Sequence, residues 1–183
     1  MERGSDQELV RQALSGDERG FEELLRRYQT VLHRFFLQRH SHEEALDLLQ
    51  ETFLRAWQSL GRYQPQWAFS TWLFTIAYRQ SVSHFRKKRG WFSQSFFQEP
   101  TMMEQIAAPL PEETDEESAE VENLWTLAKT ILPEAQWSAL WLFYAEEKSV
   151  REIAHILRRT ETGVKTLLFR GRKKLQAQYN RKP

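Results

Sequence analysis

A chain of 183 residues with 26 Lys or Arg, 25 Asp or Glu and no Cys has room for one or two domains, and it excludes disulfide scaffolds, thiolate catalysis and Cys-type zinc sites. It lacks an apolar signal region at its start and any apolar run of about 18 residues, so a protein of the reducing cytoplasm is expected rather than a secreted or membrane-spanning one. The net charge of +1 hides an uneven distribution: residues 1–90 carry 14 basic and 11 acidic side chains, residues 91–120 none and eight, and residues 121–183 carry 12 and six, so two basic blocks flank an acidic middle.

The predicted elements are all helical. Only seven Gly and six Pro interrupt the chain, and Ala, Leu, Glu, Gln and Arg fill its periodic stretches. Asp6 to Ser15 reads as a first helix, ended near Gly16. Asp17 caps a second that runs to about Arg39 and carries Phe21, Leu24, Leu25, Tyr28, Leu32 and Phe36. Ser41 with Glu44 three residues on is a capping box, opening a third helix to about Leu60 with Leu46, Leu49, Phe53 and Trp57 on one stripe. Gly61 to Ala68 is a loop, and Ser70 caps a fourth helix reaching about Arg89.

Gly90 to Ala119 has no helical period. It holds Pro100, Pro109, Pro111 and the acidic run Glu112–Glu117, and reads as a flexible tether. A further helix spans about Glu116 to Leu132, and Pro133 starts another at its first position. Then comes SVREIAHILRRTETGVKTLLFRGRKKL (Ser149–Leu175). Val150, Ile153, Ala154 and Leu157 share one apolar face, and Thr160 caps a second helix on which Val164, Leu168, Gly171 and Leu175 repeat. Two short amphipathic helices joined by a tight turn form a helix-turn-helix pattern. Thr162, Lys165, Thr166, Phe169 and Lys173 project away from the packed face, toward what a major groove would occupy. Tyr144 to Gln176 holds nine Lys or Arg against four acids, which suits phosphate; the plainer reading is a solvated basic face on a helix pair.

Two other faces carry chemistry. On the third helix Asp47, Gln50, Glu51 and Leu54 lie at i, i+3, i+4 and i+7, a surface able to dock a basic or amphipathic partner helix; alone, such a face is more often only solvated. On the fourth helix Arg79, Ser83, Arg86 and Lys87 share a face, with Trp67, Phe69, Trp72, Phe74, Tyr78 and Phe85 interspersed. Basic groups near exposed rings suit unpaired bases, although at least half of these rings are expected in the core. No Gly-rich phosphate loop, metal spacing among the five His or pinned carboxylate pair is present, so no enzyme, metal, cofactor or small-molecule substrate is expected.

The chain resembles bacterial sigma factors of the extracytoplasmic-function (ECF) type, the minimal two-domain class. EEALDLLQETFLRAW (Glu43–Trp57) is similar to that family's polymerase-binding helix. FSTWLFTIAYRQSVSHFRKK (Phe69–Lys88) is similar to its promoter-melting and minus-10-reading helix. LPEAQWSALWLFYAEEKSVREIAHIL followed by TGVKTLLFRGRKKL is similar to its minus-35-reading domain. The resemblance implies a non-catalytic, cytoplasmic factor that binds core RNA polymerase and gives it promoter specificity. It implies an all-α fold with an N-terminal domain over 1–90, an acidic flexible linker over 91–119 and a helix-turn-helix domain over 120–183. It further implies that Asp47, Gln50, Glu51 and Leu54 contact the coiled coil of the polymerase's largest subunit, with the C-terminal domain on the flap of the second-largest. Arg62, Trp67, Phe69, Trp72, Tyr78, Arg79, Ser83, Arg86 and Lys87 would serve minus-10 DNA. Arg158, Arg159, Thr162, Lys165, Thr166, Phe169, Arg170 and Lys173 would serve minus-35 DNA. An anti-sigma factor, often membrane-anchored, and a monomeric free state are implied with them. A helix-turn-helix regulator acting without polymerase is the alternative.

Five positions depart from the family pattern. Arg79 stands where Asn is usual, Ser83 for Asp, Gly163 for Thr and Leu167 for Arg. Arg158 occupies a turn position usually held by Gly, where a left-handed Arg costs about 1 kcal/mol.

Overall fold

The computed structural model describes residues 4–94 and 116–179, with side chains for 4–87 and 124–179. Eight α-helices and one short 3-10 turn make up the regular structure among these residues: α1 (Asp6–Leu14), α2 (Arg19–Leu37), α3 (His42–Ser59), a 3-10 turn (Leu60–Arg62), α4 (Phe69–Gln94), α5 (Glu116–Ile131), α6 (Glu134–Tyr144), α7 (Val150–Leu157) and α8 (Glu161–Tyr179). The expectation of an all-α protein holds. The acidic stretch 95–115, read as the tether, lies outside the described residues.

Local signals set most boundaries. The Ser41 hydroxyl accepts from the Glu44 amide while the Glu44 carboxylate accepts from the Ser41 amide, so the capping box forms as read. The Asp17 carboxylate accepts from the Arg19 amide at 3.2 Å, but the residue at the cap of α2 is Glu18, whose side chain makes no cap bond, one place later than read. α1 starts at Asp6 as read, and Ser5 caps it. Pro133 sits just outside α6 with extended ψ, one residue earlier than its expected place inside the helix. Two expectations for α4 need correction. The helix begins at Phe69, so Ser70 lies within it, and it continues past Gly90 to Gln94. One Gly lowers helix propensity by only about 1 kcal/mol, too little to stop a long helix already propagating.

α1 lies on α2, joined by Leu9, Val10 and Ala13 and fastened by Asp6, whose carboxylate accepts from Tyr28 and pairs with Arg27 at 2.9 Å. The expected stripe of α3 also needs correction. Its buried residues are Ala45, Leu48, Thr52, Phe53 and Ala56, whereas Leu46 and Trp57 are 39% and 40% exposed. Ala45, Thr52 and Ala56 let α3 approach α2 and α4 closely, Phe53 of the expected stripe is buried along with Leu48, and Leu46 and Trp57 are left on the flanks.

Leu32, Phe35, Phe36, Leu73 and Phe74 fill the centre of the N-terminal helices. Trp137, Leu140, Leu142, Ile153, Ile156, Val164 and Leu168 fill that of the C-terminal helices. α8 crosses α6 at Gly171, where a Cβ would stand 2.9 Å from Leu140 Cδ1. The two centres touch: the Phe35 and Trp137 rings lie 5.7 Å apart, so the buried residues form one continuous core.

α7 opens with a second capping box, Ser149 with Glu152. It ends at Arg158, whose φ of 52° and ψ of 53° place it in the left-handed region that the turn requires. Arg158→Gly should therefore stabilise the protein by about 1 kcal/mol, seen as a raised midpoint in thermal unfolding. An unchanged or lowered midpoint would show that the Arg158 backbone is unstrained.

Candidate functional site

Three surfaces collect the residues singled out in the sequence. The first is a cleft of about 670 Å³ between α3 and α4, lined by Asp47, Leu48, Gln50, Glu51, Leu54, Arg55, Gln80, Ser83, His84 and Lys87. All four expected polymerase contacts therefore share one wall. Leu54 is 51% exposed, and Asp47 makes no hydrogen bond or ion pair among the described residues. Glu51 pairs with Arg55 one turn on at 2.6 Å, an exposed pair worth about 0.5 kcal/mol or less. Ser83 and Lys87, expected at DNA, form part of the opposite wall of the same cleft. Acid along one wall, base along the other and an exposed leucine between them suit an amphipathic helix.

The second surface joins the loop before α4 to the outer face of α4. The Tyr63 hydroxyl donates to the Trp67 carbonyl at 2.8 Å and closes the loop. Tyr63 also packs edge-on against Phe69 and Trp72, at 5.7 and 5.6 Å between centroids. Phe69 needs correction as a DNA contact. It is 1% exposed, walled in by Tyr28, Tyr63 and Trp72, and so supports the loop from inside the core. Trp72 and Tyr78 are half-buried, and burial pushes the Tyr78 hydroxyl above its ordinary range, with Glu134 adding to the effect. Arg62, Arg79, Ser83, Arg86 and Lys87 are exposed.

Trp67 has neighbours that no local pattern foretold. The His155 ring of α7 stacks on it at 4.4 Å and 21°, and the Arg151 guanidinium lies 5.3 Å from the same ring. Further bonds hold α7 and its leading loop to α4. Thr71 Oγ1 donates to Glu152 Oε1 at 2.6 Å, and Lys148 Nζ donates to Ser70 Oγ at 2.6 Å. Burial pulls the Glu152 carboxyl up, but hydrogen bonds from Thr71 and Ser149 and the nearby Lys148 outweigh it and hold the group below its ordinary range. Arg39, at the end of α2, pairs with Glu134 at 2.9 Å and donates to the Lys129 carbonyl at 2.7 Å, at the negative end of the α5 dipole.

The third surface is α8. Thr162, Lys165, Thr166, Phe169, Arg170 and Lys173 are all exposed, as are Arg158 and Arg159 in the preceding turn. Phe169 is 59% exposed. The Thr166 hydroxyl donates back to the Thr162 carbonyl at 2.9 Å. The Thr160 hydroxyl accepts from the Gly163 amide at 3.1 Å and caps the helix as read. Leu167, the departure from an expected Arg, packs against the core.

Among the described residues no group of three or more His, Cys, Asp or Glu could hold a metal ion, and no helix is long and apolar enough to cross a membrane.

Family comparisons cover both ends of the molecule. The model for "Sigma-70 region 2" matches residues 21–90 and that for "Sigma-70, region 4" matches residues 128–175. The ECF RNA polymerase sigma factor SigM of Bacillus subtilis is 30% identical over 164 residues, covering 87% of this chain and 95% of that one. The RNA polymerase sigma-H factor of Pseudomonas aeruginosa is 32% identical over 181 residues, covering 91% and 90%. Among solved structures, CnrH in complex with the cytosolic domain of CnrY superposes with a TM-score of 0.72 at 22% identity, over 98% of this chain and all of that one, which establishes a shared fold. A helix-turn-helix regulator working without polymerase would account for residues 128–175 and leave the match over 21–90 unexplained. This chain belongs to the ECF sigma factors of RNA polymerase.

Proposed function

We propose that this sigma factor docks core RNA polymerase in the cleft between α3 and α4, through Asp47, Gln50, Glu51 and Leu54. The observation that carries the assignment is their convergence on one wall of an open cleft, with an exposed leucine among acids. As an ECF sigma factor the protein binds core polymerase and directs promoter-specific initiation. Its part is to position and capture DNA, without chemistry of its own, in the cytoplasm.

In the division of labour we infer, residues 1–90 form a core-binding and minus-10 domain, 91–119 an acidic tether and 120–183 a minus-35 domain. Arg62, Trp67, Trp72, Tyr78, Arg79, Ser83, Arg86 and Lys87 serve the melted strand, with Phe69 supporting the loop from within. Rings that stack on any base combined with guanidinium and ammonium groups that hold phosphate suit single strands. Arg158, Arg159, Thr162, Lys165, Thr166, Phe169, Arg170 and Lys173 present the exposed, cationic face that duplex DNA requires. The C-terminal helices also grip the flap of the second-largest subunit. CnrH is seen with the cytosolic domain of CnrY, and an anti-sigma factor covering the α3–α4 cleft is the corresponding partner here.

Run-off transcription with core polymerase on a promoter library tests the reading. The expected result is promoter-dependent transcript only when both proteins are present. Failure both to bind core and to initiate would overturn it.

A further inference from the structure

α1 precedes residues 21–90, over which the family model matches, and the sigma-factor reading gives it no part. Its first turn is committed in two directions. The Asp6 carboxylate pairs with Arg27 at 2.9 Å and accepts from the Tyr28 hydroxyl, and Arg27 also donates to the Gly4 carbonyl at 2.8 Å. The neighbouring Gln7 donates from Nε2 to the Pro65 carbonyl, at 3.4 Å and 58 residues away. Gly20 lets α1 lie this close to α2, since a Cβ there would stand 2.4 Å from the Leu9 carbonyl oxygen. α1 is therefore fixed on α2, with one side chain reaching the loop before α4.

A second line of contacts ends on the same loop. The Tyr28 ring lies 5.6 Å from that of Phe69, Phe69 meets Tyr63 at 5.7 Å, and the Tyr63 hydroxyl donates to the Trp67 carbonyl at 2.8 Å. Asp6 thus bears on the loop from inside, through packed rings, and Gln7 bears on it from outside. The loop's own backbone bonds are local, Tyr63 to Leu60 and Trp67 to Gln64, and they shape its turns without fixing where it stands against α4. We propose that α1 is a brace for the base-capturing loop, with Asp6 and Gln7 as positioning residues that hold Pro65 to Trp67 in the shape an unpaired base meets. The proposal rests on the reading of Trp67 as a minus-10 contact.

The brace acts by preorganisation. A loop held from two sides gives up its conformational freedom during folding rather than on meeting DNA, so less of the binding free energy goes into ordering it. When an anchor is lost, fewer molecules present the loop in its binding shape, and the apparent affinity drops by that fraction. Burial, with the Asp6 carboxylate adding to it, pushes the Tyr28 hydroxyl well above its ordinary range, so it stays protonated and remains a donor to Asp6 at neutral pH. Gln7 is exposed, and its loss leaves the core intact. Neither Asp6 nor Gln7 lines the α3–α4 cleft, so the brace bears on strand capture and leaves polymerase docking alone.

The test uses holoenzyme reconstituted from core polymerase and the full-length protein. The probe is a labelled single-stranded deoxyoligonucleotide of mixed sequence, read by fluorescence anisotropy with core alone as the blank. Gln7→Met keeps the length of the side chain and removes its donor. Combined with Asp6→Ala, it should weaken strand binding about five-fold while core affinity and helix content stay at the wild-type level. Unchanged strand binding overturns the proposal. So does an equal loss of strand and core affinity, which would make α1 a support for the whole fold. In a Trp67→Ala background the same two changes should cost less than about two-fold more, because the brace works through that loop, and a larger further loss also overturns it. If Trp67→Ala by itself left strand binding at the wild-type level, the loop reading would fail and the brace with it. A Trp67→Ala defect beside wild-type strand binding by the Asp6→Ala, Gln7→Met protein would instead sink the brace alone.

Discussion

Asp47→Lys combined with Glu51→Lys should weaken binding of core RNA polymerase by about 100-fold or more while leaving helix content and unfolding midpoint nearly unchanged. The separation of the two effects follows from where the side chains sit. Asp47 is exposed and has no partner among the described residues, and Glu51 loses only an exposed pair with Arg55. Surface changes of this kind cost about 0.5 kcal/mol or less. Binding is affected differently. Reversal of two charges on one wall, facing His84 and Lys87 on the other, makes the whole cleft cationic, and a basic partner helix would meet repulsion along its length. Equilibrium titration with labelled core, read beside circular dichroism, checks both halves. Normal core affinity in the folded double variant would remove the α3–α4 cleft from the polymerase interface.

The elements most legible in the sequence are those written in neighbouring residues. The Ser41–Glu44 box, the Thr160 cap and the apolar repeat of α8 each need fewer than a dozen residues to recognise, and each forms as read. Asp47, Gln50, Glu51 and Leu54 share a wall because helical spacing alone puts them there. Long-range commitments were not legible. Ser70 looks like a cap, yet its hydroxyl serves Lys148, 78 residues away. Glu152 belongs to a local box, and its other oxygen takes a bond from Thr71 across the seam. Phe69, which could have lined a loop, is drawn into the core because three aromatic rings enclose it, and two of these come from α2 and the loop before α4. The stacking of His155 on Trp67 leaves no periodic trace at all, since it depends on how two separately patterned groups of helices dock. A departure from family pattern was the nearest available signal: Arg79, unusual singly, turns out to lie close enough to Arg158 for that charge to add to the effect of burial in lowering its pKa.

Trp137→Ala should be the most destabilising single change, at about 3–5 kcal/mol, a large part of what holds a domain of this size together. Trp137 is fully buried, stacks on Trp141 at 5.4 Å, meets Trp125 edge-on at 6.4 Å and carries the Arg39 guanidinium 5.6 Å from its ring centre. It also touches Phe35 of α2, so truncation opens a cavity inside the C-terminal helices and removes the apolar bridge to the N-terminal ones. Trp137→Phe separates these contributions. The Trp137 indole nitrogen has no hydrogen-bond partner among the described residues, so its loss forfeits no bond. The smaller ring keeps most of the packing, and the expected cost falls to about 1–2 kcal/mol. Denaturant unfolding of the three proteins, with the slope compared as well as the midpoint, measures both costs. If the Ala and Phe variants were equally unstable, the energy would reside in the indole nitrogen rather than in volume. If neither lost more than about 1 kcal/mol, Trp137 would not bridge the two groups of helices in solution, and the continuous core would have to yield to two that fold apart.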